Sequence, residues 1–248
     1  MQRYKLTIEY DGAPFCGWQT QANGQSVQDA LSQAIKQFCG ETPSIYAAGR
    51  TDKGVHARGQ VAHIDLEQVR PAFKVRDGLN FHLRPDPISV VSVEEVDDTF
   101  HARFSAIGRS YLYQLVIRPA PPVLDAAQHW WVKTELDIEA MNRAAQIFLG
   151  QHDFTTFRSV QCQSPSPVKT LDLMTVWQEQ EYVYVRAEAR SFLHNQVRSL
   201  VGALKVVGQG RWSEDDVVTA LSACDRAACP PVAPAHGLFL MRADYPEK

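Results

Sequence analysis

The fold is decided at residues 44–66, which read SIYAAGRTDKGVHARGQVAHIDL. Apolar residues cluster at 44–48 and alternate with polar ones at 60–66, so both runs predict strands. The segment between them, residues 49–57, contains two glycines and predicts a loop. We therefore expect two neighbouring strands joined by a loop that carries polar side chains.

The sequence on either side adds a strand and a helix to each end of this pair. Alternating apolar residues at 4–10 predict a strand, and Ser26 caps a predicted helix whose apolar face extends to Phe38. Pro71 begins a second predicted helix, and residues 88–96 predict the last strand. The order β-α-β-β-α-β is that of ferredoxin-like and RRM-like domains. Many unrelated proteins share it, so the order alone assigns no function.

The remainder of the chain repeats this order loosely. Its predicted elements are a strand at 111–117, a helix at 137–149, a hairpin at 170–177 and 182–189, helices at 192–207 and from Ser213, and a strand at 238–242. We therefore predict an α+β fold of two similar halves with mainly antiparallel sheets, joined around a central cleft. The predicted domains are residues 1–104 and 105–248.

Composition indicates an ordinary folded protein. Hydrophobic residues make up 45% of the chain and charged residues 21%, and no apolar run is long enough for a signal peptide or a membrane span. The five cysteines form no C-x-x-C pair, which favours reduced thiols and a cytoplasmic location. The net charge of −3 provides no general basic excess, so any contact with nucleic acid must depend on locally gathered arginines.

The loop at residues 49–57 is the first candidate for chemistry. An arginine near Asp52, such as Arg50, can hold the carboxylate ionised, and an ionised carboxylate is a usable nucleophile. The same residue types are also typical of a hairpin turn, and a histidine such as His56 often serves only as a structural hydrogen-bonding group. Spacing alone leaves both interpretations open.

A second candidate lies in the apolar run at residues 192–202. Arg198 is the charged residue within this run. If it is buried, it needs an anion nearby. If it lies at the edge of the helix face, it can instead reach solvent. A third candidate combines Arg103 with Tyr111 and Tyr113, because basic and aromatic residues together suit single-stranded RNA. An ordinary strand would show the same pattern.

Motifs of other common sites are missing from the sequence. It contains no P-loop, no G-x-G-x-x-G, no H-E-x-x-H and no G-x-S-x-G. The motifs therefore give no support to a nucleotide cofactor or a metal.

The order of the motifs along nearly the whole chain resembles the tRNA pseudouridine synthase A family. The matching motifs are Tyr10-Asp11-Gly12, Phe15-x-Gly17-Trp18-Gln19-x-Gln21, the loop from Gly49 to Ala57, Phe100 to Ala106 followed by Tyr111-x-Tyr113, Gly150-x-His152-Asp153-Phe154, Phe192 to Gly202, and Pro234-Ala235-x-Gly237-Leu238-x-Leu240 with Tyr245-Pro246. Lys53 departs from the alanine often found there, and Asn195-Gln196 stands where a His-Met pair is common.

The resemblance implies an isomerase that converts uridine to pseudouridine in the anticodon stem-loop of tRNA, at positions 38, 39 and 40. It implies that the catalytic residues are Asp52, Tyr111 and Arg198: Asp52 is the carboxylate, Arg198 pairs with it, and Tyr111 stacks on the uracil and can assist removal of the C5 proton. The residues expected to bind substrate are Arg50, Lys53, His56, Arg103, Tyr111 and Leu240. We also expect a homodimer that binds tRNA across both subunits. We expect no cofactor and no association with a membrane.

Two other functions share parts of this pattern. A non-catalytic RRM-like RNA-binding protein would have the same fold, but it would need no aspartate in the loop facing an arginine. An Asp-nucleophile N-glycoside hydrolase would normally need a second carboxylate, and the loop at residues 49–57 contains none. The sequence leaves open whether Asp52 attacks C1′ or C6 of the nucleotide or acts through a glycal.

Overall fold

A computed structural model describes residues 1–22 and 24–246 and divides the chain into two compact units. The first unit comprises Met1–Ile107 together with the segment from Phe239 onward, and the second comprises Gly108–Leu238. The C-terminal strand, which the sequence-based division put in the second half, is therefore grouped with the first unit.

The first unit contains the predicted order of elements. These are β1 (Gln2–Tyr10), α1 (Val27–Cys39), β2 (Tyr46–Ala47), β3 (His56–Leu66), α2 (Ala72–Leu83) and β4 (Ile88–Val96). The strands lie in the order β4-β1-β3-β2, and all three pairings are antiparallel. Ser26 caps α1, because its side chain accepts a hydrogen bond from the Asp29 N–H. The first unit is thus the ferredoxin-like α+β arrangement that the periodicity predicted.

The second unit repeats the theme with additional short strands. Its elements are β5 (Gly108–Ile117), β6 (Trp130–Val132), α3 (Ile138–Gln146), β7 (Gly150–Asp153), β8 (Val168–Glu179), β9 (Tyr182–Ala189), α4 (Gln196–Gly208) and α5 (Glu214–Ala223). The antiparallel sheet has the order β5-β9-β8-β7, and β6 pairs with β5 in parallel. The predicted hairpin is β8 and β9. The strands β6 and β7 were not predicted, and α3 ends three residues before the predicted end at 149.

The last strand, β10 (Leu238–Asp244), returns to the first unit. It pairs with β3 in parallel, with Phe239 opposite His56 and Leu240 opposite Ala57. The sequence predicted that β3 would begin at residue 60, but it begins at His56. The reason is tertiary, since Ala57 also pairs with Tyr10 of β1 and the start of β3 is therefore held from both sides.

The prediction that α4 begins at residue 192 is wrong, because the helix begins at Gln196. Asn195 adopts φ 63° and ψ 3°, a left-handed conformation that cannot continue a helix. The backbone N–H of Leu193, just before this turn, donates to Oε1 of Gln196 at 2.8 Å. In the described part of the chain, no helix has the length and apolar character needed to cross a membrane.

Candidate active site

The Asp52 loop, residues 48–55, joins β2 to β3 in the first unit. Its beginning is held by β3: the Ala48 N–H donates to the Val61 carbonyl at 2.7 Å, and Nε2 of Gln60 donates to the Gly49 carbonyl at 2.8 Å. Gln60 is fully buried, so its amide is dedicated to this contact and to its own strand. The loop therefore leaves the sheet in a fixed direction.

The middle of the loop is held at Thr51, the residue before Asp52. The Thr51 carbonyl accepts a hydrogen bond from the Trp18 N–H at 3.0 Å, and its hydroxyl oxygen lies 2.7 Å from the phenol oxygen of Tyr10. Thr51, Tyr10 and Trp18 are all buried. A turn follows, in which the Val55 N–H donates to the Asp52 carbonyl at 3.1 Å. The backbone is thus anchored at Thr51, just before Asp52, and at the carbonyl of Asp52 itself.

Two glycines let other parts of the backbone come close to this loop. A Cβ on Gly12 would lie 2.0 Å from the Val55 carbonyl oxygen, and one on Gly17 would lie 2.9 Å from the Thr51 carbonyl oxygen. Gly17 also has a φ of +121°, which side-chain-bearing residues rarely adopt. These glycines match the resemblance motifs, and the structure gives them a physical role that periodicity could not reveal.

His56 lies at the start of β3 and is almost entirely buried. Its ring stacks on Phe239 with 4.7 Å between centroids, and its Nδ1 lies 3.1 Å from the Gly12 N–H and 3.0 Å from Oδ1 of Asp11. An unprotonated Nδ1 accepts from Gly12, whereas a protonated one donates to Asp11. Either bond ties the segment at residues 11–12 to β3. Contact between His56 and substrate stays a prediction.

The remaining predicted residues of the first unit differ in exposure. Arg50 and Lys53 are exposed and Asp52 is half-buried, while Thr51 and Val55 beside them are buried. The loop thus presents charged side chains between buried anchors. Arg103 is exposed in a different segment, with its guanidinium 5.6 Å from the centroid of the Phe104 ring. Leu240 is fully buried in β10.

The second unit contains the other two predicted catalytic residues. Tyr111 lies on β5 opposite Ala187 of β9, and its ring meets Phe192 edge to face at 5.1 Å between centroids. It is only 9% exposed, so its ring is held in a nearly closed environment. Arg198 lies in the first turn of α4 and is half-buried.

Arg198 emerges from a helix in which every other residue except Lys205 is buried. Its Nε donates to the Ala233 carbonyl at 2.8 Å, and its Nη1 donates to Oδ1 of Asn195 at 3.0 Å. The Ala233 N–H donates in return to the Arg198 carbonyl at 3.1 Å. Both of these acceptors are neutral oxygen atoms. The predicted pairing of Arg198 with Asp52 stays a prediction.

Tyr113 lies two residues beyond Tyr111 on β5, and its hydroxyl donates to the Pro234 carbonyl at 2.8 Å. Burial raises the pKa of Tyr113 well above its usual range, against a smaller opposite effect of the positive charge on Arg198. Its phenol is therefore neutral at physiological pH. Tyr113 acts as a donor to the backbone and is not available as a base.

Sequence reasoning did not identify the residues that hold these side chains. Trp18 and Gly17 appeared only as parts of a motif, Gln60 only as a strand residue, and Asn195 only as a departure from the family. The glycines at positions 12 and 17 were the signals that could have indicated a close backbone approach. Among residues 1–22 and 24–246, no group of three or more His, Cys, Asp or Glu residues could hold a metal ion.

Comparisons with known proteins identify the family of the chain. Residues 6–105 and 144–246 match a family model described as tRNA pseudouridine synthase. The tRNA pseudouridine synthase A of Parvibaculum lavamentivorans is 57% identical over 245 residues, which cover 99% of this chain and 100% of that protein. The proteins of the same name from Paramagnetospirillum magneticum and Brucella ovis are 54% and 56% identical, again over 99% of this chain, and are covered to 96% and 98%.

A solved structure is similar at a much lower level. A chain from the crystal structure of a Cbf5-Nop10-Gar1 complex is 11% identical, with a TM-score of 0.36, and the match covers 82% of this chain and 45% of that one. The sequence relatives are therefore the informative comparison.

Proposed function

This chain belongs to the tRNA pseudouridine synthase A family and is an isomerase that acts on tRNA, and we propose that its targets are uridines 38, 39 and 40 of the anticodon stem-loop, with Asp52 as the catalytic carboxylate. The observation that carries the proposal is the state of the Asp52 loop. Its carboxylate is half-buried, while buried contacts anchor Thr51 immediately before it and the Asp52 carbonyl accepts from the Val55 N–H. A group held in this way is oriented before substrate arrives.

The reaction breaks the N1–C1′ bond of uridine, turns the uracil and joins C5 to C1′. The C5 proton is then lost and N1 takes up a proton, so the product is an isomer of the substrate and the reaction needs no redox partner and no energy source. The target base must leave the helical stack to be reached. In our proposal the Asp52 carboxylate attacks the nucleotide or assists loss of the base, and the Tyr111 ring stacks on the uracil.

Arg198 has the supporting role in this proposal. Its guanidinium keeps the Asp52 carboxylate ionised and directed, because a paired cation favours the charged form of an acid. Arg50, Lys53 and Arg103 are exposed cations and suit contacts with the RNA backbone. With a net charge of −3, the chain depends on such local cations rather than on its total charge. His56 and Leu240, both buried, are proposed to support the substrate site from the sheet.

We propose further that the active form is a homodimer in the cytoplasm, where its tRNA substrate is found, and that the anticodon arm is the part of tRNA recognised. The reaction balance also predicts that no cofactor is needed. Dialysis against a strong chelator should leave the turnover rate unchanged, and restoration of a lost rate by a divalent metal would contradict the prediction.

The proposed function is tested with tRNA transcripts that carry tritium at C5 of uridine. Three transcripts each retain a single uridine in the anticodon arm, at position 38, 39 or 40, and a fourth has cytidine at all three. We expect release of tritium to water from the first three transcripts, no release from these positions in the fourth, and no free uracil. Free uracil would indicate a glycoside hydrolase. Tight binding without tritium release would indicate an RNA-binding protein.

A further inference from the structure

The guanidinium of Arg198 is held through hydrogen bonds from two of its own nitrogen atoms. Nε donates to the Ala233 carbonyl at 2.8 Å, and Nη1 donates to Oδ1 of Asn195 at 3.0 Å. A guanidinium is planar, so two donors fixed in two directions fix the plane and the direction of the remaining donors. Asn195 and Ala233 therefore act together as a clamp, by which we mean the two acceptors that fix the orientation of the Arg198 guanidinium.

The Ala233 side of the clamp is fixed by the backbone. A Cβ added to Gly202 of α4 would lie 2.3 Å from the Pro231 carbonyl oxygen, so the segment at residues 231–233 lies directly on the helix. Ala233 is fully buried, and its N–H donates to the Arg198 carbonyl at 3.1 Å. This acceptor cannot move without displacing the segment from α4.

The Asn195 side depends on a side chain in an unusual role. Asn195 occupies the N-cap position of α4, where an asparagine oxygen ordinarily accepts a backbone N–H of the first turn. Here its side chain makes no such capping bond, and Oδ1 instead accepts from the side chain of Arg198, three residues later. The left-handed conformation, with φ 63°, is one that asparagine adopts more readily than most residues. The side chain of Asn195 therefore binds Arg198 instead of capping the helix.

We propose that Asn195 is a positioning residue for the reaction, which sets the direction of the Arg198 guanidinium without touching the substrate. The inference rests on the proposed function, in which Arg198 orients the catalytic carboxylate. An arginine that loses a fixed acceptor samples more rotamers, and productive geometry becomes rarer in the bound complex. Loss of the Asn195 acceptor should therefore lower the rate of the chemical step more than it lowers tRNA affinity.

Two variants separate the acceptor from the backbone conformation. Asn195→Gly accommodates φ 63° without strain but removes the oxygen. Asn195→His restores an acceptor, because its Nδ1 is as many bonds from the backbone as Oδ1 of asparagine and histidine also tolerates this conformation.

The experiment measures single-turnover tritium release, tRNA Kd and thermal unfolding for each variant. We expect Asn195→Gly to slow turnover by about tenfold, with Kd within about twofold and a Tm close to that of the parent. Asn195→His should recover most of the rate. A Gly variant with the parental rate, or a His variant as slow as the Gly variant, would overturn the inference.

A double variant tests whether Asn195 acts through Arg198. In an Arg198→Lys background, Asn195→Gly should have little further effect, because lysine has lost the planar fork that the clamp orients. Full additivity of the two losses would overturn the inference. If Arg198→Ala itself retains the parental rate, the proposed role of Arg198 fails. If it is inactive while Asn195→Gly is fully active, only the clamp fails.

Discussion

The Asp52 loop and the first turn of α4 hold charged side chains by different physical means. Around Asp52 the contacts hold the backbone of the loop, and the close approaches among them require glycine at positions 12 and 17 because a Cβ would collide with the loop. Around Arg198 the backbone belongs to a regular helix, and oxygen atoms of Asn195 and Ala233 orient the side chain itself. An irregular loop thus depends on the absence of side chains nearby, whereas a helical position depends on the presence of acceptors.

The largest expected effect is that of Asp52→Asn, which removes the charge at the centre of the first region. Asparagine is tolerated in turns, so the loop should keep its anchors at Thr51 and Val55. Turnover should fall by at least about a thousandfold, since a neutral amide cannot act as the carboxylate nucleophile. Single-turnover tritium release and tRNA Kd are the measurements. A rate within tenfold of the parent would remove Asp52 from the catalytic role.

A smaller effect is expected from Gly17→Ala, which tests whether backbone contact positions the loop. The new Cβ would lie 2.9 Å from the Thr51 carbonyl oxygen, so the loop must shift, and a shift of about 1 Å can cost roughly a hundredfold in rate. Gly40→Ala is the matched control, because Gly40 also has a positive φ, of +79°, but nothing lies within 4 Å of its Cβ. Gly40→Ala should lose stability and keep its turnover. Equal turnover in the two variants would refute the positioning role of Gly17.

Arg198→Lys examines the second region by keeping the charge and removing the planar fork. Lysine cannot donate to Ala233 and Asn195 with the same rigid geometry, so turnover should fall by about tenfold or more, with a smaller effect on tRNA affinity. Arg143→Lys is the control, because Arg143 is exposed and is not part of this group of residues. Its Nε lies 2.8 Å from Oε1 of Glu214. A comparison of kcat with Kd decides the question. Equal kcat values for the two lysine variants would contradict the prediction.

The smallest expected effect concerns stability of the first unit rather than catalysis. Burial, together with the positive charges of Arg3 and His101, lowers the pKa of His63 from 6.5 to about 4. The folded state therefore binds this proton less readily than the unfolded state, so stability falls as pH drops from about 6.5 towards 4. The loss attributable to His63 is at most about 3 kcal/mol.

Urea unfolding between pH 4.5 and 7.5 checks this prediction for His63. Its Nδ1 accepts from the Ala102 N–H at 3.0 Å, and Asn at this position can keep the acceptor without titrating. His63→Asn should therefore show a shallower loss of stability on acidification than the parent. Parallel pH profiles would mean that other groups cause the acid sensitivity.

Local pattern was sufficient for much of the fold and insufficient where distant contacts decide. Residues 88–96 are rich in β-branched residues, and β4 has the predicted bounds, while Ser26 was identified as a cap from its place before an amphipathic helix. The start of β3 was missed because strands far away in sequence fix it. The start of α4 was missed because an apolar run does not reveal that Asn195 is left-handed.

The candidate site shows the same division. The residues that bear charge, such as Asp52 and Arg198, stand out in a sequence because their types suggest chemistry. Most of the atoms that orient them are backbone groups, the Trp18 N–H, the Thr51 carbonyl and the Ala233 carbonyl, and backbone groups have no signature in a sequence. Their roles depend on which segments meet, and that is decided only when the chain folds.

The parallel pairing of β10 with β3 imposes an order on the folding of this protein during its synthesis. The first unit is interrupted after Ile107 and resumes at Phe239, whose ring covers His56 at the foot of the Asp52 loop. At 5–20 residues per second, a ribosome needs on the order of ten seconds to make the intervening unit. During that time the ring of His56 lacks its contact with Phe239, and a chain whose synthesis stops before residue 239 never forms this contact. Assembly of the Asp52 loop is thereby linked to completion of synthesis through the second unit.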